Sequence, residues 1–159
     1  MKKHSEMLIL VLAVVVTGLA CGSADSGQDV VGRVIDGDTV ELENGERVRS
    51  LGINTPETVH PDKPVECYGP EASERNKELV QGKRVRFLRD GPDRDSYGRL
   101  LRYVFVGNTF VNGDLVGGGY AYSDQPYDGR PLQYGAVLHS LEETARQSRR
   151  GLWHLCQDK

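Results

Sequence analysis

The sequence predicts an α+β domain, mainly β: a five-stranded OB-fold barrel with three α-helices. Three observations carry this. Short runs rich in β-branched residues are broken by Asp36-Gly37 and Asn44-Gly45, strong hairpin signals because these residues tolerate positive φ. Two similar runs lie beyond a helix-like segment. A long amphipathic segment closes the chain.

Each element has its own warrant. In VVGRVIDGDTVELENGERVRSLGI (30–53), β-branched residues recur at Val30, Val31, Val34, Ile35, Val40, Val48 and Ile53, giving three strands. Val40 and Leu42 alternate with Glu41 and Glu43, which puts one face in a core. A proline-containing polar loop follows. The first helix begins near Pro70, with Glu71 at the positive end of its dipole, and stops at Gly82. RVRFLRD (84–90) and RLLRYVFV (99–106) are two further strands joined by GPDRDSYG. A short helix is expected around 111–116, ended by Gly117-Gly118-Gly119. No GK[ST] follows that triplet, so it reads as a helix stop rather than a phosphate cradle. The last helix spans about 131–149, with Leu132, Val137, Leu138, Leu141 and Ala145 on one face. Gly151 ends it and Trp153 packs back. Five strands, a helix inserted late and a long terminal helix fit a small closed antiparallel barrel.

The chain has 159 residues, a one-domain length. Its start differs from the rest. Lys2 and Lys3 precede a ten-residue apolar run, Met7 to Val16, and small residues lead to Cys21. This is the order of an export signal (1–20), and the run is too short to span a bilayer. Cleavage after Ala20 would leave Cys21 first, as in a bacterial lipoprotein, although Gly18 replaces the usual leucine. A lipidated Cys21 and a plain secreted form both stay open. Residues 21–29 read as a flexible tether, and 30–156 as the folded domain. A monomer is expected.

Net charge is −3 overall; Lys2, Lys3 and Glu6 give residues 1–20 a net +1, so the remainder carries −4. A protein that coats nucleic acid by charge alone is normally basic. Phosphodiester chemistry here would need a few placed cations. Cys67 and Cys156 are expected to pair in an oxidising compartment; two buried free thiols are the alternative. No CxxC and no HExxH pattern occurs, which leaves a zinc site unsupported.

Three short segments could hold chemistry: VIDGDTV (34–40), RSLGINTPE (49–57) and DSYGR (95–99). Asp36 and Asp38 put carboxylates beside one turn. Asn54 and Thr55 offer further oxygens, a set that suits a hard cation such as calcium. Glu57 is free to act as a base. Arg49 and Arg99 can each grip two phosphate oxygens. A cation, two arginines and a carboxylate are what attack of water on a phosphodiester requires.

VIDGDTV, R-x-x-x-x-N-T-P-E-T, HP-x-K-x-V-E-x-YGPEAS and D-x-YGR, in this order and at these spacings, resemble the staphylococcal nuclease family from about Val30 to Trp153. The resemblance implies calcium-dependent hydrolysis of DNA and RNA, leaving 3′-phosphates, outside the cell. It implies that Asp38 and the Thr55 carbonyl bind calcium, with Asp36 in the outer shell. It implies Glu57 as general base, Arg49 on the phosphate, and Arg99 also at the leaving oxygen. Tyr97 and the loop residue Lys63 would lie near the substrate.

Two residues depart from the family pattern. Asn54 stands where an aspartate is usual; its amide oxygen can still reach calcium without adding charge, so weaker binding is expected. Ser96 stands where a lysine is usual, so one phosphate contact is expected to be missing. The competing expectation is a non-catalytic OB-fold module that binds nucleic acid or oligosaccharide. The intact set Asp38, Arg49, Glu57 and Arg99 argues against it.

Overall fold

The structure is a computed structural model that describes residues 28–59, 64–125 and 129–156. The export segment, Cys21 and Lys63 lie outside the described residues. The strands are β1 (Gln28–Val34), β2 (Thr39–Leu42), β3 (Arg47–Ser50), β4 (Ile53–Asn54), β5 (Arg84–Leu88), β6 (Leu100–Val106), β7 (Thr109–Phe110) and β8 (Tyr122–Ser123). The helices are α1 (Gly69–Val80), α2 (Val111–Gly117), α3 (Gly135–Gln147) and the single turn α4 (Leu152–Leu155).

The five expected strands form the barrel, in the order β3-β2-β1-β5-β6, closed by a β3–β6 pairing. That closing pair is parallel, with Val48 opposite Leu100 and Ser50 opposite Arg102. The expected purely antiparallel barrel is therefore mixed. Every neighbouring pair within the order is antiparallel, and alternating directions around five strands cannot close without one parallel contact.

Inside lie Val31, Val40, Leu42, Val48, Val85, Phe87 and Val104, continuous with Val111, Leu115, Val116 and Leu138 beneath α2 and α3. Asn112 is fully buried and stitches this layer to the barrel: its amide donates to Leu51 O at 2.9 Å and its oxygen accepts from the Val104 N–H at 2.9 Å. Buried polar groups of this kind specify a packing arrangement only when both ends are satisfied.

Three details differ from the sequence expectation. The third strand breaks after Ser50, and Gly52 turns the chain into β4 with φ of +75°. A side chain there would strike Leu138 at 2.9 Å and Leu132 at 3.1 Å, so packing as well as backbone conformation demands glycine. The last helix begins at Gly135 rather than Pro131. The N–H groups of Gln133 and Tyr134 are taken by Asp90 Oδ2 and Tyr103 Oη, which hold 131–134 as a lead-in. Finally, α3 ends at Gln147, and Gly151 opens α4. Trp153 does pack back, its ring edge-on to Tyr122 at 5.2 Å and beneath the Arg146 guanidinium at 4.2 Å.

Cys67 and Cys156 form the expected disulfide, with Cα atoms 5.9 Å apart and a sequence separation of 89. It ties the loop ahead of α1 to the C-terminus.

Candidate active site

The DGD turn between β1 and β2 sets the first wall of the site. Ile35 N–H and Asp36 N–H both bond Thr39 O, and Asp38 N–H bonds Asp36 Oδ1 at 3.1 Å. Gly37 is not in the left-handed region; its reason is proximity. A Cβ there would lie 2.6–2.7 Å from the Thr55 side chain. Only glycine lets Thr55 come close enough to give Asp38 Oδ2 both its N–H (2.9 Å) and its hydroxyl (3.1 Å). From the far side, the buried Asn76 amide on α1 holds Asp36 O at 3.2 Å.

Asp38 is only 5 % exposed. Its Oδ2 lies 3.1 Å from Arg49 Nη1 and its Oδ1 accepts from Thr39 Oγ1 at 3.1 Å. Burial, then the neighbouring Asp38 charge, push the Asp36 carboxyl up to about 6. Two carboxylates so placed, with Thr55 and Asn54 oxygens nearby, match the chemistry of a hard cation. Among the described residues no three His, Cys, Asp or Glu side chains cluster, so such a site would depend on carbonyl and amide oxygens as well.

The second part is the corner from β3 into β4. Arg49 extends from β3, opposite Thr39. Its Nη1 donates to Ser50 O at 3.0 Å and Ile53 O at 2.7 Å, and its Nη2 to Asn54 Oδ1 at 3.0 Å. Asn54 and Asp38 thus share one guanidinium. Beyond the corner, Glu57 Oε1 accepts from the N–H groups of Thr58 and Val59, each at 2.9 Å. Its own N–H bonds Glu66 Oε2 at 3.0 Å.

The opposite wall is the loop before β6. Asp95 Oδ1 accepts from the N–H groups of Tyr97 and Arg99, and its Oδ2 from Arg99 Nε at 2.7 Å. Burial pushes the Asp95 carboxyl up, but hydrogen bonds from the Arg99 side chain and backbone outweigh this and hold it below the usual carboxylate range. Arg99 lies 5.3 Å from the centre of the Tyr97 ring, which is 84 % exposed.

One cleft of about 660 Å³ gathers Asp36, Asp38, Arg49, Asn54, Thr55, Glu57, Tyr97 and Arg99. All the sequence-selected site residues that the structure describes therefore meet, apart from the disulfide, which lies elsewhere. Several others were not singled out. Thr39 joins the two arginines: its hydroxyl is 3.4 Å from Arg99 Nη1 and bonds Asp38. Asp95 was visible only as a letter of D-x-YGR. Glu66, visible only as a letter of HP-x-K-x-V-E-x-YGPEAS, and Asn76 act on the site through backbone groups, and Arg94 and Arg130 line the cleft; the last three carry no local sequence signal.

A closed five-stranded barrel with arginines, carboxylates and oxygen ligands in one cleft defines an OB-fold protein equipped for phosphodiester chemistry. The family model described as "Staphylococcal nuclease homologue" matches residues 47–155. The chain is 35 % identical to the thermonuclease of Staphylococcus intermedius and 31 % identical to that of Staphylococcus hyicus. Each comparison covers 96 % of this chain and 99 % of the relative. It is 38 % identical to endonuclease YncB of Bacillus subtilis, over 76 % of this chain and 59 % of that protein. The chain belongs to the staphylococcal nuclease family, and its thermonuclease and endonuclease relatives mark it as a phosphodiester-hydrolysing nuclease.

Proposed function

We propose that this cleft is a calcium-dependent endonuclease site that hydrolyses DNA, takes RNA as a second substrate and leaves 3′-phosphates. The supporting observation is the meeting of Arg49, Arg99 and Glu57 around the Asp36–Asp38 turn in one cleft. The relatives' names, thermonuclease and endonuclease, point the same way.

Bound calcium would supply positive charge beside the scissile phosphate, held by Asp38, the Thr55 carbonyl and the Asn54 amide oxygen, with Asp36 behind them. Glu57 is oriented by two backbone N–H groups on Oε1, which leaves Oε2 to take the proton of the attacking water. Arg49 releases its acceptors and turns to the phosphate, where charge builds up in the transition state. Arg99 is aimed by Asp95 and faces the departing 5′-oxygen. Tyr97 offers an exposed ring to the nucleotide. Lys63 is assigned to the substrate phosphate on the motif alone. The same reading has the chain exported as a monomer, secreted or lipid-anchored through Cys21.

The deciding test incubates the purified, folded protein with plasmid in calcium and in chelator. Fragmentation in calcium alone, with 3′ ends that a polymerase extends only after phosphatase has removed their phosphate, is expected. An intact plasmid would overturn the enzymatic reading in favour of a binding module.

A further inference from the structure

We propose that Arg94 forms a second phosphate subsite on the loop wall of the cleft, held by Glu46 until a polynucleotide displaces it. The inference rests on the nuclease reading above and deepens it: the substrate is a chain with phosphates on both sides of the scissile bond.

Arg94 lines the same cleft as Arg99 and Tyr97. A bridge to Leu100 fixes its backbone beside the start of β6. Its Nη1 lies 2.7 Å from Glu46 Oε2 and 2.7 Å from Gly98 O. Glu46 precedes β3 and stands three residues before Arg49. At the strand rise of ~3.3 Å per residue, that is about 10 Å along the wall from Arg49. The parallel β3–β6 pairing sets Val48 opposite Leu100, and Arg94 bridges Leu100, so Arg94 and Arg99 both adjoin the strand that carries Arg49. Tyr97 stands in the loop between Arg94 and Arg99. An exposed aromatic ring flanked by cations is a stacking platform for a base between two phosphates.

The hold on Arg94 is one that a substrate can exchange. Its ion pair with Glu46 leaves the side chains 44 % and 40 % exposed, where water screens the attraction. Its Nη2 has no hydrogen-bond partner among the described residues. A phosphate offers two oxygens to the planar fork, whereas Glu46 engages one nitrogen. Asp93, 3.9 Å from Arg94 Nε, has its other oxygen on Arg102 at 2.6 Å, so its charge is already shared. The subsite also answers the missing lysine at Ser96: a cation reaches the same wall from two residues earlier.

The test compares long single-stranded DNA with a substrate holding one phosphodiester. Arg94→Ala should raise KM on the long substrate about tenfold, the scale of one charge-assisted contact. The loss in kcat/KM should be at least several-fold greater than on the single diester. The slope of binding against salt should fall by about one. Glu46→Gln frees the guanidinium and should lower KM on long DNA. Equal losses on both substrates would overturn the subsite, because Arg94 would then act by holding Gly98 and hence Arg99. An unchanged KM in either variant would overturn it as well. Anisotropy with a labelled oligonucleotide in chelator separates the two levels. A wild-type chain that neither binds nor cuts sinks the nuclease reading itself. A wild-type chain that binds no better than Arg94→Ala sinks only the subsite.

Discussion

The two walls of the cleft hold the same kind of cation in different ways. At the β3–β4 corner, Arg49 is surrounded by two backbone carbonyls, a buried carboxylate and an amide oxygen. In the loop before β6, Arg99 rests on the single side chain of Asp95 and a long contact to Thr39. Beside it Tyr97 is almost fully exposed. The corner is built from strand backbone and a glycine-tight turn, so its charges are already engaged before any ligand arrives, and Arg49 must exchange acceptors to reach one. The loop is built from a carboxylate-centred turn, so its cations can follow a substrate. On the proposed function, the corner would place metal and charge and the loop would track the substrate.

The largest expected effects test that division. Arg49→Ala and Arg99→Ala should each slow cleavage roughly 10³-fold or more in single-turnover assays, the scale of a lost transition-state arginine. Only Arg49→Ala should also lower stability in urea unfolding, by about 1–3 kcal/mol, because the buried Asp38 loses its cation. Equal destabilisation by both would erase the distinction between the walls. Next comes the disulfide that anchors the chain beyond the corner. Replacing Cys67 and Cys156 by alanine should cost about 4.6 kcal/mol on the chain-entropy scale for a loop of this size, seen as an earlier unfolding midpoint. No shift would mean that the rest of the fold restrains this loop.

A smaller effect is expected from Gly37→Ala. Its Cβ would fall 2.6 Å from Thr55 Oγ1, and overpacking of this kind costs about 1–3 kcal/mol. Calcium affinity by calorimetry should fall with it, since Thr55 is pushed off Asp38. The smallest is Asn54→Asp, which adds one charge to the oxygen set and should tighten calcium about tenfold, or roughly 1.4 kcal/mol. Unchanged affinity would remove residue 54 from the metal ligands and leave it as a partner of Arg49.

Much of this was legible in the linear order of residues. The Asn44-Gly45 turn, the alternation in β2 and the punctuation of α1 are local signals, and they stand where expected. The four motifs selected Asp38, Arg49, Thr55, Glu57 and Arg99 because each lies inside a short diagnostic string. Thr39 and Glu66 lie inside such strings without being singled out by them, and Arg94 lies outside all four. Their importance depends on residues 60, 9 and 48 positions away, to which they bond, and no local pattern encodes such a distance.

The sequence alone marked the five barrel strands, the helix boundaries to within a few residues, the family and the candidate residues of the site. Those follow from side-chain periodicity, backbone preference and motif spacing, which act over a few residues. Tertiary structure decided what those parts do to one another. The odd strand count forced a parallel closure that sets β3 beside β6. Gly37 proved necessary for the approach of Thr55 rather than for a positive φ. Asn54, read from the chain as a neutral metal ligand, also holds Arg49. Each of these depends on surfaces meeting in space, which is settled only when the barrel closes.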